Sequence, residues 1–320
     1  MTGTALSPPA RAKFADPDRT ATGEPRARVS LHALETLWVN TGSLCNISCA
    51  TCYIDSSPRN DALAYIGADE VAAYLAEIAE LGLPTRLVGL TGGEPFLNPD
   101  ILPILTAILA AGHDALVLTN AMRPMMRHAG ALAGLAARYG ARLRLRVSLD
   151  HYTAAGHDAE RGAGSFARTL EGLRWAAGAG IALDVASRLL GSEGEAELRA
   201  GFARLFAAED LPVDAADPLG LVIFPQMDAT ADVPEITDRC WGILGKSPRE
   251  VMCASARMVV KRRGAARPAV LACTLLAYDP RFELGTRLSE AMGPVALAHP
   301  HCATFCVLGG ASCGAPRGEA

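Results

Sequence analysis

The chain has 320 residues, half of them hydrophobic, with a net charge of −4 and nine cysteines. That length and apolar share support one large α/β body with a small appended region, and the mild acidity excludes the basic footprint of a nucleic-acid binder. No apolar run is long enough to cross a membrane and residues 1–29 lack the apolar stretch of a secretory signal, so the cysteines point to a cytoplasmic, reducing setting and to metal binding rather than disulfides.

In chain order, residues 1–29 are rich in Pro, Ala, Arg and Thr and read as a disordered tail. Strand-like runs follow at 36–40, 86–90, 115–119, 143–149, 182–188 and 219–224. Helix-like runs alternate with them at 68–80, 99–111, 125–139, 165–177 and 193–208. Asp69, Asn98 with Pro99, and Ser165 signal helix starts, and Gly82, Gly112, Gly140 and Gly180 signal helix ends. Alternation of this kind predicts parallel strands with helices outside. Six units fit a partial (β/α)6 barrel over 30–228 better than a flat doubly wound sheet. In either arrangement, sites gather at the carboxyl ends of the strands. Residues 229–320 read as a small cysteine-rich domain.

The cysteines fall into two groups. Cys45, Cys49 and Cys52 form a C-x3-C-x2-C run directly after the first strand. Three thiolates on one short loop hold a four-iron, four-sulfur cube by three corners and leave the fourth iron open. A closed zinc site wants a fourth ligand near by, and no Cys or His occurs between Cys52 and His113. The remaining six cysteines are Cys240, Cys253, Cys273, Cys302, Cys306 and Cys313.

Four strand ends carry further candidates. The second runs into Thr91, Gly92, Gly93, Glu94 and Pro95, where two glycines let backbone approach a ligand and a carboxylate follows. Taken alone, this is a strand-ending turn with an exposed acid. The third ends in Thr119 and Asn120, and an Asn there is commonly a turn residue. The fourth ends in Ser148, Leu149 and Asp150, followed by Arg161, Gly162, Ala163, Gly164, Ser165 and Phe166. A hydroxyl and a carboxylate suit sugar hydroxyls, and Ser165 also reads as a helix cap. The fifth ends in Ser187 and Arg188, where an inward Arg pairs with a ligand carboxylate or an outward one with a surface acid.

Together these runs resemble the radical S-adenosylmethionine (radical SAM) enzymes. The resemblance spans about residues 34–313. It implies a 4Fe-4S cluster on Cys45, Cys49 and Cys52 whose open iron binds SAM. An electron from the cluster then cleaves SAM to methionine and a 5′-deoxyadenosyl radical, which takes a hydrogen atom from substrate. It assigns Gly92, Gly93 and Glu94 to the methionyl amino group, Ser148 and Asp150 to the ribose, and Asn120 and Arg188 to the neighbourhood of SAM. Thr51 stands where the family often has an aromatic residue, and Tyr53 follows the third cysteine. The resemblance also implies an electron donor such as flavodoxin or ferredoxin.

In the last third, Cys253 and Cys273 flank two short strand-like runs that a turn would fold into a hairpin, and Cys302 with Cys306 or Cys313 completes a set of four. This is similar to the Twitch and SPASM regions of radical SAM proteins and implies one auxiliary 4Fe-4S cluster. His299 and His301 beside Cys302 keep a structural zinc site open, and Cys240 reads equally as a core thiol or a ligand. The expected activity is radical SAM chemistry on a peptide, a protein or a small molecule, with neither nucleic acid nor membrane as partner. The alternative is a non-catalytic metal-binding scaffold.

Overall fold

The computed structural model describes residues 12–191, 193–225 and 231–309. A short strand β1 (Arg28–Val29) precedes six parallel strands: β2 (Thr36–Asn40), β3 (Leu87–Thr91), β4 (Asp114–Thr119), β5 (Leu143–Ser148), β6 (Ala182–Arg188) and β7 (Leu221–Phe224). Between them run α1 (Ala68–Glu80), α2 (Ile101–Ala110), α3 (Arg123–Met126), α4 (Ala129–Tyr139), α5 (Ala154–Arg161), α6 (Ser165–Gly178) and α7 (Glu195–Ala208), and α8 (Arg239–Leu244) follows β7. This is the predicted (β/α)6 arrangement, with β7 at one open edge of the sheet.

Side-chain alternation along the strands builds two cores. In β2, Leu37 and Val39 join the cluster under the outer helices, with Val71, Ile78, Ile104 and Leu105. Trp38, between them, points the other way and packs with Met258 and Leu271. Gly89 in β3 makes room for it, since a Cβ there would lie 2.4 Å from the Trp38 ring. All four glycines expected to end helices have positive φ, from 59° at Gly140 to 96° at Gly112, which glycine adopts without a Cβ penalty.

Three expectations need correction. The helix foreseen at 125–139 is two pieces, α3 and α4, with a turn at Arg127 and His128 where the His128 N–H bonds the Met125 carbonyl. Ser165 does not cap α6. Asp158 of α5 does, accepting from the N–H groups of Gly164 (2.7 Å) and Phe166 (2.8 Å) and from the Ser165 hydroxyl (3.0 Å). Residues 12–29 are packed rather than a disordered tail. Ala27 and Val29 are fully buried, β1 pairs with β11 (Val295–Ala296), and the buried Arg26 meets Glu235 at 2.5 Å.

The last third extends the barrel's own sheet. β8 (Ala256–Val260) lies parallel to β2 on the side away from β3, then β9 (Ala269–Leu271) and β10 (Glu283–Gly285) continue antiparallel. The expected hairpin is β8–β9. Arg257 is almost wholly buried, yet its guanidinium finds the carbonyls of Cys253, Ala256, Ala291 and Gly293, as a buried polar group requires. Among the described residues, no helix is long and apolar enough to cross a membrane.

Candidate active site

The cysteine loop leaves the carboxyl end of β2 and is held there by the glycine pair after β3. Gly93 N–H donates to the Gly42 carbonyl (2.8 Å) and Glu94 N–H to the Leu44 carbonyl (3.0 Å). Gly92 has φ 139°, and a Cβ on it would lie 2.5 Å from the Gly42 oxygen. A Cβ on Gly93 would lie 2.1 Å from the Leu44 oxygen. Glycine is required here because two backbones touch.

Above the strand ends lies a cavity of about 150 Å³. Cys45, Cys49 and Cys52 line it together with Gly92, Gly93, Asn120, Ser148, Asp150 and Arg188. Four strand ends and the loop thus bring nine of the predicted residues to one space. Glu94 is not among the lining residues. It is buried, and its carboxylate accepts from the Thr119 hydroxyl (2.8 Å), Asn120 N–H (2.9 Å) and Phe96 N–H (3.2 Å). Burial pushes its pKa up to about 7 against those donors. Glu94 thereby ties β3 to β4 behind the cavity. Asn120 reaches forward, donating from Nδ2 to Asn46 Oδ1 (2.9 Å) and towards Cys45 Sγ (3.9 Å). Cys52 Sγ accepts from Ser56 N–H (3.3 Å). Such donors favour thiolate and tune a cluster bound to it.

Asp150 is clamped by two arginines. Arg161 Nε donates to Oδ2 at 2.6 Å and Arg188 Nη2 to the same oxygen at 2.7 Å, while the other oxygen accepts from each at 3.2 and 3.1 Å. Burial opposes the Asp150 charge, but the guanidiniums outweigh it and hold the carboxyl well below the usual range. Arg188 Nη1 continues to the Thr51 carbonyl (2.7 Å) and hydroxyl, and that hydroxyl donates to Glu160 (2.7 Å). The cysteine loop is therefore tied to β5, α5 and β6 by one charged network. Arg161 also lines the cavity. Its sequence signal was the Arg-Gly pair ending α5, a helix too polar to show apolar periodicity. His157, the one buried residue of α5, accepts from Asp150 N–H through Nδ1 (3.2 Å).

A profile of the radical SAM superfamily matches residues 39–199, half of the chain. The chain belongs to the radical SAM superfamily. AlbA, the antilisterial bacteriocin subtilosin biosynthesis protein of Bacillus subtilis (strain 168), is 32% identical over 143 residues, 44% of this chain and 30% of AlbA. The AdoMet-dependent heme synthase of Methanosarcina barkeri (strain Fusaro / DSM 804) is 32% identical over 132 residues, 40% of this chain and 35% of that protein. Both matches thus span only about a third of the relatives' length. Among solved structures, Streptococcus suis SuiB bound to S-adenosylmethionine superposes with a TM-score of 0.58 at 12% identity, over 79% of this chain and 63% of SuiB. Native anSMEcpe with bound AdoMet gives 0.58 at 13% identity, over 80% of this chain and 79% of that one. At such identities the likeness is one of fold.

Radical SAM enzymes carry a 4Fe-4S cluster and SAM, and the residues present fit both. Three thiols face one cavity with room beyond them, and the donor set is the soft one that iron–sulfur clusters take. Ser56 Oγ, buried at the same cavity wall, has no hydrogen-bond partner among the described residues. Burial pushes the Cys45 thiol up to about 12 and raises Cys49 as well, so loading iron must displace protons.

A second hollow adjoins the first. Cys253, Cys273, Cys302 and Cys306 line it with His301 and an apolar shell that includes Met252, Leu276, Phe282 and Leu297. Cys302 and Cys306 share a π-helical turn (Cys302–Leu308), a wide turn that sets both thiols on the hollow. Burial pushes Cys253 up to about 11 and Cys302 up to about 12, and Cys273 is raised by burial and then by Cys306 and Cys302. Cys240 stands apart, its Sγ accepting from Thr237 N–H (3.4 Å). Cys313 lies outside the described residues. Leu275 lines both spaces, and Phe305, between two hollow-lining cysteines, lines the cavity and packs on Phe224 at 5.5 Å.

Proposed function

We propose that this radical SAM enzyme modifies a peptide and that the Cys253, Cys273, Cys302 and Cys306 hollow holds an auxiliary 4Fe-4S cluster. One observation carries the reading: Leu275 lines both the four-cysteine hollow and the three-cysteine cavity, and Phe305, between Cys302 and Cys306 in the chain, lines the cavity. A second redox centre beside that cavity is suited to take an electron from substrate after hydrogen abstraction. The substrate class is supported by AlbA, whose name places it in bacteriocin biosynthesis. The heme synthase relative makes a small molecule the competing substrate.

When bound, the first cluster supplies one electron that breaks the sulfur–C5′ bond of SAM. The chain's own residues prepare that event. Gly92 and Gly93 seat the loop, Glu94 joins β3 to β4, and Arg161 with Arg188 fixes the Asp150 carboxylate beside Ser148 for the ribose. Phe224, Phe305, Leu275 and Ile54 give the cavity an apolar wall that excludes water from a radical.

A tetrahedral zinc draws its thiolates to about 2.3 Å from one ion, whereas a cube spreads them over its corners. Four thiols in an apolar shell form a Cys-only donor set, which suits the cube. Anaerobic reconstitution tests this. The wild type should hold about eight irons in two cubane clusters and form 5′-deoxyadenosine. The Cys45→Ala/Cys49→Ala/Cys52→Ala variant should keep about half that iron and form none. One tightly bound zinc in place of the retained iron would make the second site structural. Hydrogen transfer to the 5′-deoxyadenosyl radical from a tetrapyrrole, and from no peptide offered, would overturn the substrate class.

A further inference from the structure

A run with no acid at all stretches from Asp114 to Asp150 and contains six arginines, in a chain whose net charge is −4. Four of them are accounted for. Arg142 meets Asp114 at 3.4 Å, Arg144 and Arg146 meet Asp184 at 2.9 and 3.4 Å, and Arg138 lies over the Tyr139 ring at 5.0 Å. The other two, Arg123 and Arg127, are exposed and reach no carboxylate among the described residues. With Arg168 of α6, also exposed, they line a groove of about 390 Å³. The rest of its lining includes Asn46, Ile47 and Met122.

Asn46 and Ile47 are residues of the cysteine loop, yet the groove shares no lining residue with the SAM cavity. It meets the loop on its outer surface. A short bonded path leads inward from it. Asn46 Nδ2 donates to Met122 Sδ (3.8 Å), Asn120 Nδ2 donates to Asn46 Oδ1 (2.9 Å), and the same Nδ2 points at Cys45 Sγ (3.9 Å). A substrate must enter the cavity to meet the radical. An electron must instead enter through the ligands, and its transfer rate falls steeply with distance.

We propose that the Arg123, Arg127 and Arg168 groove is the docking face for an acidic one-electron carrier protein, which feeds the first cluster through the Asn46–Asn120–Cys45 path. This rests on the radical SAM chemistry above. The carrier gives up one electron and is oxidised by one, and the cluster gains that electron, which SAM consumes when its sulfur–carbon bond breaks. Three guanidiniums with no carboxylate partner among the described residues, Arg168 bonding only the Ala163 carbonyl (3.0 Å), supply the field that steers a carboxylate-rich surface, and such steering weakens with salt.

The test uses the reconstituted full chain, a reduced flavodoxin as the carrier, and dithionite as a small chemical reductant. In Arg123→Glu/Arg127→Glu/Arg168→Glu, the flavodoxin Kd and its apparent KM as electron donor should each rise about ten-fold or more. Dithionite-driven 5′-deoxyadenosine formation and iron content should stay within about two-fold of wild type, a change of only about 0.4 kcal/mol. In the wild type, raising NaCl from about 0.05 to 0.5 M should weaken flavodoxin binding and leave the dithionite rate unchanged. An unaltered flavodoxin Kd in the variant overturns the proposal, as does a salt-independent Kd in the wild type, which needs no variant. Lost binding of a poly-glutamate peptide with intact flavodoxin binding also overturns it and assigns the groove to an acidic peptide segment. Failure of the wild type to cleave SAM with dithionite counts against the chemistry itself, while the Kd comparison still decides the groove.

Discussion

The two cysteine sites solve one problem by opposite means. Cys45, Cys49 and Cys52 come from eight consecutive residues, so the loop itself sets their spacing, and the fold has only to hold the loop. It does so with bare backbone at Gly92 and Gly93 and with a charged network of Asp150, Arg161, Arg188 and Glu160 that holds Thr51 of the loop. Cys253, Cys273, Cys302 and Cys306 are spread over 54 positions and meet only because β8 pairs with β2 and the chain then turns back through β9 and β10. Their surroundings are apolar, with Met252, Leu275, Leu276, Phe282, Val295 and Leu297 on the wall. The larger site, with Asp150, Arg161 and Arg188 set among apolar walls, suits a ligand that comes and goes, and the smaller one suits a resident group.

The hardest blow to this contrast falls at the glycine pair. Gly93→Ala places a Cβ where the Leu44 carbonyl oxygen sits, and backbone on both sides leaves little room to yield. The variant should lose the first cluster's iron and more than ten-fold of SAM cleavage, about 1.4 kcal/mol of barrier or more, while keeping the auxiliary iron. Loss of both irons together would mean that the two sites do not fold independently, and iron analysis with Mössbauer spectroscopy separates the cases.

A smaller effect is expected at the second site. Cys306→Ala should remove auxiliary iron and leave 5′-deoxyadenosine formation within a few-fold, under about 1 kcal/mol. Cys313→Ala should leave both irons in place. If the two variants exchange behaviours, Cys313 is the ligand and the π-helical turn serves another purpose.

The smallest concerns acid. His157 is fully buried, and burial, followed by the nearby Arg161, lowers its pKa from the ordinary 6.5 to about 4. The folded chain then binds fewer protons than the unfolded one between those values. The stability contributed by neutral His157 is complete above about pH 6.5 and drains away as pH falls towards 4, amounting to at most roughly 3 kcal/mol. His157→Asn keeps an acceptor for Asp150 N–H without a proton to gain. Its denaturation midpoint should fall less than that of wild type from pH 7 to pH 4.5, and parallel curves would show that His157 does not titrate with folding.

The sequence by itself determined the order of the six parallel strands and of five helical runs between them (though not α5), the two strands whose bounds it fixes at both ends (β2 and β6), the C-x3-C-x2-C loop and the residues waiting at successive strand ends. Those features are local. Periodicity, glycine at helix ends and close ligand spacing are all written within a few residues of one another. What only tertiary structure decided were relations between distant segments. Gly92 and Gly93 signalled a close approach, but only the docked loop shows that the partner is the backbone of Gly42 and Leu44. Glu94 read as a carboxylate facing a ligand, and the fold shows it bonded to Thr119, Asn120 and Phe96 instead of lining the cavity. Arg161 stood in the Arg-Gly run after the fourth strand, but only the fold shows that it clamps Asp150. Residues 12–29 read as a tail because their composition is polar, but the Arg26–Glu235 pair and the β1–β11 ladder hold them down through partners more than 200 residues away. Burial of a charge or an edge depends on what the rest of the chain brings to it, and that is a property of the assembled sheet rather than of any window of sequence.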